Sequence, residues 1–296
     1  MALARGRFRG LRFAGSAVLA VLGVPSCALQ RWKMQVAYDG SSFYGWQHQE
    51  SRRSVHGVLL AALTASHPQH SASRQRPKLV GCSRTDRGVH AEAQVAHCDL
   101  LPLEPSALLQ RVNRRLPGDV RVLALEPVSN TFHARKSALR KSPGRAKRCY
   151  RYDLLQTEAT PFQARFVWSV GDLDVPLMAQ AAQYLSEELD CRCLTVRWRA
   201  SCRPGVDVYD EDYYGPIRKR LAIHVSEGEL VSIHVESDAF LYRMVRVLVT
   251  ALVAIGRRAL DPAEMKEGRR EAAMQEVKGR LRLAPPNGLF LQNIVY

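Results

Sequence analysis

Short apolar–polar alternations bounded by Gly, Pro and Asp make up most of this 296-residue chain, with a few longer windows at helical spacing between them. Residues 34–38, 94–100, 120–124, 149–155, 217–225, 229–235 and 288–296 read as strands, and 77–82 as a shorter one. In 94–100, Val95, His97 and Asp99 fall on one side of the strand and Ala96, Cys98 and Leu100 on the other. Val55, Val58, Leu59, Ala62 and Leu63 repeat at helical spacing behind Ser54, an N-cap residue type. Residues 106–116 predict a second helix, ending before Pro117-Gly118-Asp119, and 176–185 a third with proline at its start. The clearest helix pattern is 240–255, where Phe240, Met244, Val247, Leu248, Ala251, Leu252 and Ile255 line one face. Arg243 and Arg246 lie one turn apart at its beginning, and Asp261-Pro262 starts another helix. Residues 39–42 read as a turn, 43–49 as an aromatic, amide-rich loop, 66–76 and 191–216 as irregular, and 140–148 as a basic Pro/Gly loop. Strands and helices mix without a βαβ repeat, which predicts an α+β fold with mainly antiparallel sheets flanked by helices.

Charge narrows the choice of partners. The formal net charge is +15, and six Arg/Lys without an acid lie in the first 38 residues, leaving nine of the fifteen on the rest. A body this basic suits a polyanion, nucleic acid first; a basic solvated surface is the plainer reading. The seven cysteines are odd in number and contain no C-x-x-C, which argues against a disulfide framework and a zinc ribbon. Cys191-x-Cys193 with Cys202 lacks a fourth ligand at ordinary spacing, so no metal site is expected. At the N-terminus Arg5, Arg7, Arg9 and Arg12 precede an apolar run over 13–24, too short for a convincing membrane span. Residues 1–33 therefore read as a targeting leader: the Arg-rich part fits an organelle transit peptide (mitochondrion or plastid) and the apolar run a signal-type segment, cytoplasm and nucleus stay open as destinations, and the folded protein begins near Met34. No other segment approaches membrane-spanning length.

Candidate chemistry concentrates in Ser83-Arg84-Thr85-Asp86-Arg87-Gly88-Val89-His90-Ala91. It follows a short strand, so Asp86 stands where a strand ends and the chain turns. Guanidinium neighbours lower a carboxylate's pKa, so Asp86 is expected to be ionised and able to act as a nucleophile. Asp-x-Gly is also an ordinary turn, and local physics alone favours that reading.

Six further pieces occur in order with this one. They are Tyr38-Asp39-Gly40 with Phe43-x-Gly45-Trp46-Gln47-x-Gln49, Asn113-x-x-Leu116-Pro117-Gly118-Asp119, Phe132-His133-Ala134-Arg135-x-Ser137-Ala138, Tyr150-Arg151-Tyr152, Phe240-Leu241-x-x-Met244-Val245-Arg246 and Ala284-Pro285-x-x-Gly288-Leu289. Together they make the chain from Met34 to Tyr296 resemble the TruA-type tRNA pseudouridine synthases. The resemblance implies a pseudouridine synthase fold: two mixed α+β domains, here 34–147 and 148–296, around a basic RNA-binding cleft. It implies isomerisation of uridine to pseudouridine in tRNA, in the anticodon arm, without a cofactor, by a homodimer; the lack of a spanning segment beyond the leader adds the expectation of no membrane attachment in the mature protein. It puts the catalytic aspartate on Asp86, its partner arginine on Arg84, the pocket tyrosine on Tyr150, the second-domain arginine on Arg246 and an apolar pocket wall on Leu289. His90, Arg87, Tyr44, Gln47, Asn113, His133 and Arg135 are the further candidates for substrate contact, with Arg84 or His90 as the group that fills the space of a flipped uridine. Attack at C1′ and removal of the 2′ proton are both open to Asp86. A catalytically silent tRNA-binding protein or chaperone that keeps the fold is the alternative.

Overall fold

A hydrophobic strand that alternates cleanly starts the fold. In β1 (Gln30–Tyr38), Trp32, Met34, Val36 and Tyr38 point into the core while their neighbours are half-buried. The strand begins four residues before Met34, because Gln30 to Lys33 continue the pairing with β3 (His90–Leu100). These and all following features come from a computed structural model that describes residues 29–66, 77–140, 147–196 and 218–296. Most of the leader, most of the basic 140–148 loop, all of the 66–76 loop but Ser66, and the greater part of 191–216 lie outside the described residues.

Antiparallel pairing extends β1 to β4 (Val120–Val128) on one side and to β3 on the other. The second half adds β5 (Lys147–Leu155), β10 (Val231–Ser237) and β9 (Ala222–Ser226), again antiparallel. The C-terminal strand β11 (Leu289–Val295) lies between the halves, parallel to β3 and antiparallel to β5. The order is β4-β1-β3-β11-β5-β10-β9, with β2 (Val80–Gly81) on β3 and β6 (Trp168–Ser169) on β5. A separate pair joins β7 (Glu188–Asp190) and β8 (Arg218–Arg220). The halves read from sequence thus share one mostly antiparallel sheet, and it runs unbroken past residues 147–148. β3 is buried along nearly its whole length, on both faces, as expected of an interior strand rather than a half-exposed one.

Six helices cover the sheet among the described residues. α1 (Val55–Ser66) starts at Ser54, whose Oγ accepts from the Gly57 N–H at 3.2 Å. α2 (Pro105–Asn113) is capped by Glu104 and stops three residues earlier than its apolar pattern suggests. α3 (Lys136–Arg140) was not legible as a helix. α4 (Val175–Leu185) packs against β9 and against α5 (Met244–Gly256), and α6 (Arg270–Arg280) lies on α5. Asp261-Pro262 opens a single 3-10 turn ahead of α6 rather than a full helix. α5 is buried on every side: each residue from Met244 to Gly256 is buried except Arg246. A helix apolar all round belongs inside a protein, so the one charged residue in it is held by the fold for a reason.

Candidate active site

The turn after β2 presents Asp86. The Asp86 carbonyl accepts from the Val89 N–H at 3.2 Å, and Gly88 between them has φ +82°. This is a turn with positive φ at its third residue, which favours glycine. Gly45 (φ +91°) lets the neighbouring loop lie flat on it: a Cβ there would fall 2.4 Å from the Thr85 carbonyl. The Trp46 N–H donates to that carbonyl at 3.1 Å, and the Thr85 hydroxyl meets the Tyr38 hydroxyl at 2.8 Å. On the strand side, the fully buried Gln94 amide donates to the Ser83 carbonyl at 2.7 Å and accepts from its N–H at 3.2 Å. The loop is held from three directions, so the Asp86 carboxylate is preorganised.

The partners of that carboxylate come from the other half of the chain. Arg246 Nη1 lies 3.7 Å and Arg243 Nε 3.8 Å from Asp86 Oδ2. Arg246 is aimed by a backbone bracket: its Nε donates to the Ala284 carbonyl at 2.7 Å, and the Ala284 N–H donates to Thr250 Oγ1 at 2.9 Å. The Thr250 hydroxyl in turn donates to the Arg246 carbonyl at 2.7 Å. Tyr152 fixes the next residue by donating to the Pro285 carbonyl at 2.7 Å. Burial raises the Asp86 pKa above the ordinary carboxylate value, and Arg246 and Arg243 oppose that rise without cancelling it. The expectation of a lowered pKa is corrected on this point: desolvation outweighs the guanidinium attraction. Burial likewise lowers the Arg246 pKa, against the pull of Asp86.

These groups line one cavity of about 590 Å³. Its buried end holds Tyr150, Leu289, Phe240 and Asp86, whose side chain is 26% exposed. The Tyr150 ring meets Phe240 edge-on at 5.0 Å, and its hydroxyl meets Ser83 Oγ at 3.0 Å. Burial pushes the Tyr150 phenol up to about 12, so it is neutral near pH 7. Leu289 is set opposite Tyr152 and Leu291 opposite Tyr150 by the β11–β5 register. Among the described residues six arginines line the cavity (Arg52, Arg84, Arg87, Arg148, Arg243 and Arg246), against one acid, Asp86. At the exposed wall, the Arg52 and Arg87 guanidiniums lie over the Tyr44 ring at 4.6 and 4.4 Å. Arg84 and Gln47 are exposed and also line the cavity.

Four sequence candidates lie away from the cavity. His90 is buried, accepts at Nδ1 from the Gly40 N–H and donates from Nε2 to the Arg165 carbonyl, both at 3.0 Å. Its ring stacks on Phe290 at 4.8 Å, and burial lowers its pKa against the pull of Asp39. It is a neutral core histidine and does not fill the space of a flipped base. Asn113 ties α2 to β4, donating to the Val122 carbonyl and accepting from its N–H. His133 accepts from the Arg135 and Lys136 N–H groups at the start of α3. Arg135 sits beside it, outside the cavity lining.

Sequence reasoning missed several supporting groups: Gln94, Thr250, Arg52 and Arg243 as a partner of Asp86. A glutamine inside an apolar strand and a threonine inside an apolar helix were the available signals. For Arg243 the available signal was its place one turn from Arg246. Among the described residues no group of three His, Cys, Asp or Glu is placed to hold a metal ion, and no helix is long and apolar enough to cross a membrane.

Residues 210–296, which contain Arg243, Arg246 and Leu289, match a family model described as tRNA pseudouridine synthase. Over 90% of its length the chain is 33% identical to tRNA pseudouridine synthase A of Dinoroseobacter shibae, covering 97% of that protein. It is 31% identical to the protein of the same name from Thermosipho africanus, over 90% of this chain and all of the relative. For the one from Methylococcus capsulatus the identity is 34%, over 90% of this chain and 89% of the relative.

Proposed function

The chain belongs to the TruA-type tRNA pseudouridine synthase family, and from that premise we propose that it isomerises uridine to pseudouridine in the anticodon arm of tRNA, with Asp86 acting on the ribose. The observation that carries this reading is the pairing of Asp86 with Arg246 from the other half, facing Tyr150 and Leu289 in one cavity. The reaction breaks the N1–C1′ bond and forms a C5–C1′ bond; C5 loses a proton and N1 gains one, so no co-reactant is consumed. The uracil must detach, turn and rejoin without loss to water, which suits a pocket walled by Tyr150, Phe240 and Leu289. Asp86 either attacks C1′ or takes the 2′ proton, and both routes need it ionised. Arg246 and Arg243 hold that charge. Arg52 and Arg87, at the exposed wall, suit the phosphates that flank a flipped uridine.

Pseudouridine mapping of organellar and cytosolic tRNA, with the wild type and Asp86→Ala, tests the reading. Modification is expected to vanish in the variant while tRNA binding persists; unchanged modification sinks the role of Asp86. A homodimer and delivery to an organelle by residues 1–33 belong to the same proposal. Sedimentation and a reporter fusion of residues 1–33 test them, and a monomer or a diffuse cytosolic reporter refutes the respective part.

A further inference from the structure

Arg243 stands outside regular structure at the point where α5 begins. Its backbone is left-handed, φ +58° and ψ +16°, at the N-cap position, and its side chain makes no capping hydrogen bond. Non-glycine residues reach this region at a cost, and an arginine has no local side-chain bond to offset it. A sparsely populated conformation persists where surrounding structure holds it and the position serves a site. Here the following residue, Met244, and Leu241 two residues before are in the core, with a half-buried Tyr242 between.

The left-handed turn directs the side chain at Asp86. The Arg243 Nε is buried, makes no hydrogen bond and lies 3.8 Å from Asp86 Oδ2, the same oxygen that Arg246 approaches. The guanidinium lies over the Tyr242 ring, 4.9 Å from its centroid, which limits its swing. We propose that Arg243 is a second positioning cation for Asp86: its left-handed backbone delivers a guanidinium that, together with Arg246, holds the Asp86 carboxylate charged and oriented inside the cavity. Both cations sit just beyond hydrogen-bond distance. They attract the carboxylate without tying up its lone pairs, which a nucleophile or base needs free. Arg246 alone is bracketed by Ala284 and is itself largely buried, so its pairing with Asp86 is partly offset by desolvation. The half-exposed Arg243 brings its charge at a smaller desolvation cost.

The ionisable groups that face Asp86 are Arg246 from α5, Arg243 from the turn just before it and Tyr150 from β5, while Arg84 and Arg87 of its own loop and Arg148 of β5 line the same cavity. The proposal rests on the synthase reading, and its test separates the two. Arg243→Gly removes the charge and relaxes the backbone; Arg243→Lys keeps the charge. In Arg243→Gly, kcat measured on the acid side of the profile is expected to fall about tenfold for each unit by which the Asp86 pKa rises. KM for tRNA should stay within about twofold, thermal stability should not fall, and the acid limb of kcat/KM should move to higher pH. Arg243→Lys should recover much of kcat and return the limb toward its place. Unchanged kcat and limb in Arg243→Gly would reduce Arg243 to a structural cap, and a rise in KM alone would make it an RNA contact; either overturns the proposal. Carbon-13 NMR titration of the Asp86 carboxyl gives a readout independent of turnover. Its midpoint is expected to rise in Arg243→Gly, and an unmoved midpoint refutes the proposal even if the wild type makes no pseudouridine.

Discussion

Arginines stand at both ends of the cavity, yet their surroundings differ. At the buried end Arg243 and Arg246 converge on one carboxylate, among Tyr150, Phe240 and Leu289. At the exposed wall Arg52 and Arg87 both lie over the Tyr44 ring, and among the described residues no carboxylate pairs with either. The contrast is sharpest beside Arg52. Arg53 is forked onto Asp119 at 2.7 and 2.9 Å and lies over Phe43 at 4.0 Å, so its charge is already compensated. Burial makes an uncompensated charge costly, so the buried end must balance its cations with Asp86. Exposure lifts that demand, and the wall can keep free guanidiniums for an anionic ligand.

This division predicts separable effects. Asp86→Asn should lower kcat/KM by at least about a thousandfold while changing tRNA affinity little; single-turnover rates and direct binding measure the two, and a matching loss of affinity would erase the distinction. Arg246→Met should also strike kcat. The pH dependence of kcat/KM carries the sign: Asp86 must be ionised, burial has raised its pKa, so activity falls as pH drops through that raised value. Removing an opposing cation raises it further, and the limb in Arg246→Met should lie at higher pH than in the wild type. A limb that stays put would show that Arg246 does not act through Asp86. Tyr150, with its phenol near 12, should contribute no alkaline limb between about pH 7 and 10. Tyr150→Phe should therefore keep the neutral-pH shape of the profile while lowering its height.

At the wall the effects are smaller and of another kind. Arg52→Ala and Arg87→Ala should each raise KM a few-fold at saturating kcat, and each should reduce the salt slope of tRNA binding by about 0.7–0.9. A fall in kcat with an unchanged slope would assign these residues to the chemistry instead. Arg53→Ala is the control and the smallest effect: about 0.2–1 kcal/mol of stability and no change in salt slope, read by denaturant melts and binding isotherms.

Local patterns carried most of the elements. Alternation in β1, the Ser54 cap of α1 and the Asp-x-Gly turn at Asp86 are nearest-neighbour matters, decided by side-chain period and by φ at Gly88. The boundaries that were misjudged had tertiary causes. β1 gains four residues because β3 pairs with them, and β3 loses its expected two-sided contrast because both of its faces are covered. The candidate site divided in the same way. Asp86, Tyr150, Arg246 and Leu289 come from ordered motifs and share the cavity, whereas His90, Asn113, His133 and Arg135 come from equally regular motifs and lie outside its lining, the first three in hydrogen bonds of the scaffold. A motif records that a residue type is needed; whether the need is chemical or architectural depends on what packs against it.

By itself the sequence determined the α+β character, the basic balance, the family and a carboxylate on a glycine turn, because each is written in residue type and short-range spacing. Only the tertiary structure decided which charges face that carboxylate. The arginines adjacent in sequence, Arg84 and Arg87, are exposed and line the cavity, while Arg243 and Arg246 arrive from more than 150 residues away. The cause is β11, which joins the two halves into one sheet and puts Leu289 and the Ala284 bracket next to the Asp86 turn. Coulomb attraction depends on distance in space and on burial, and neither is a property of sequence separation.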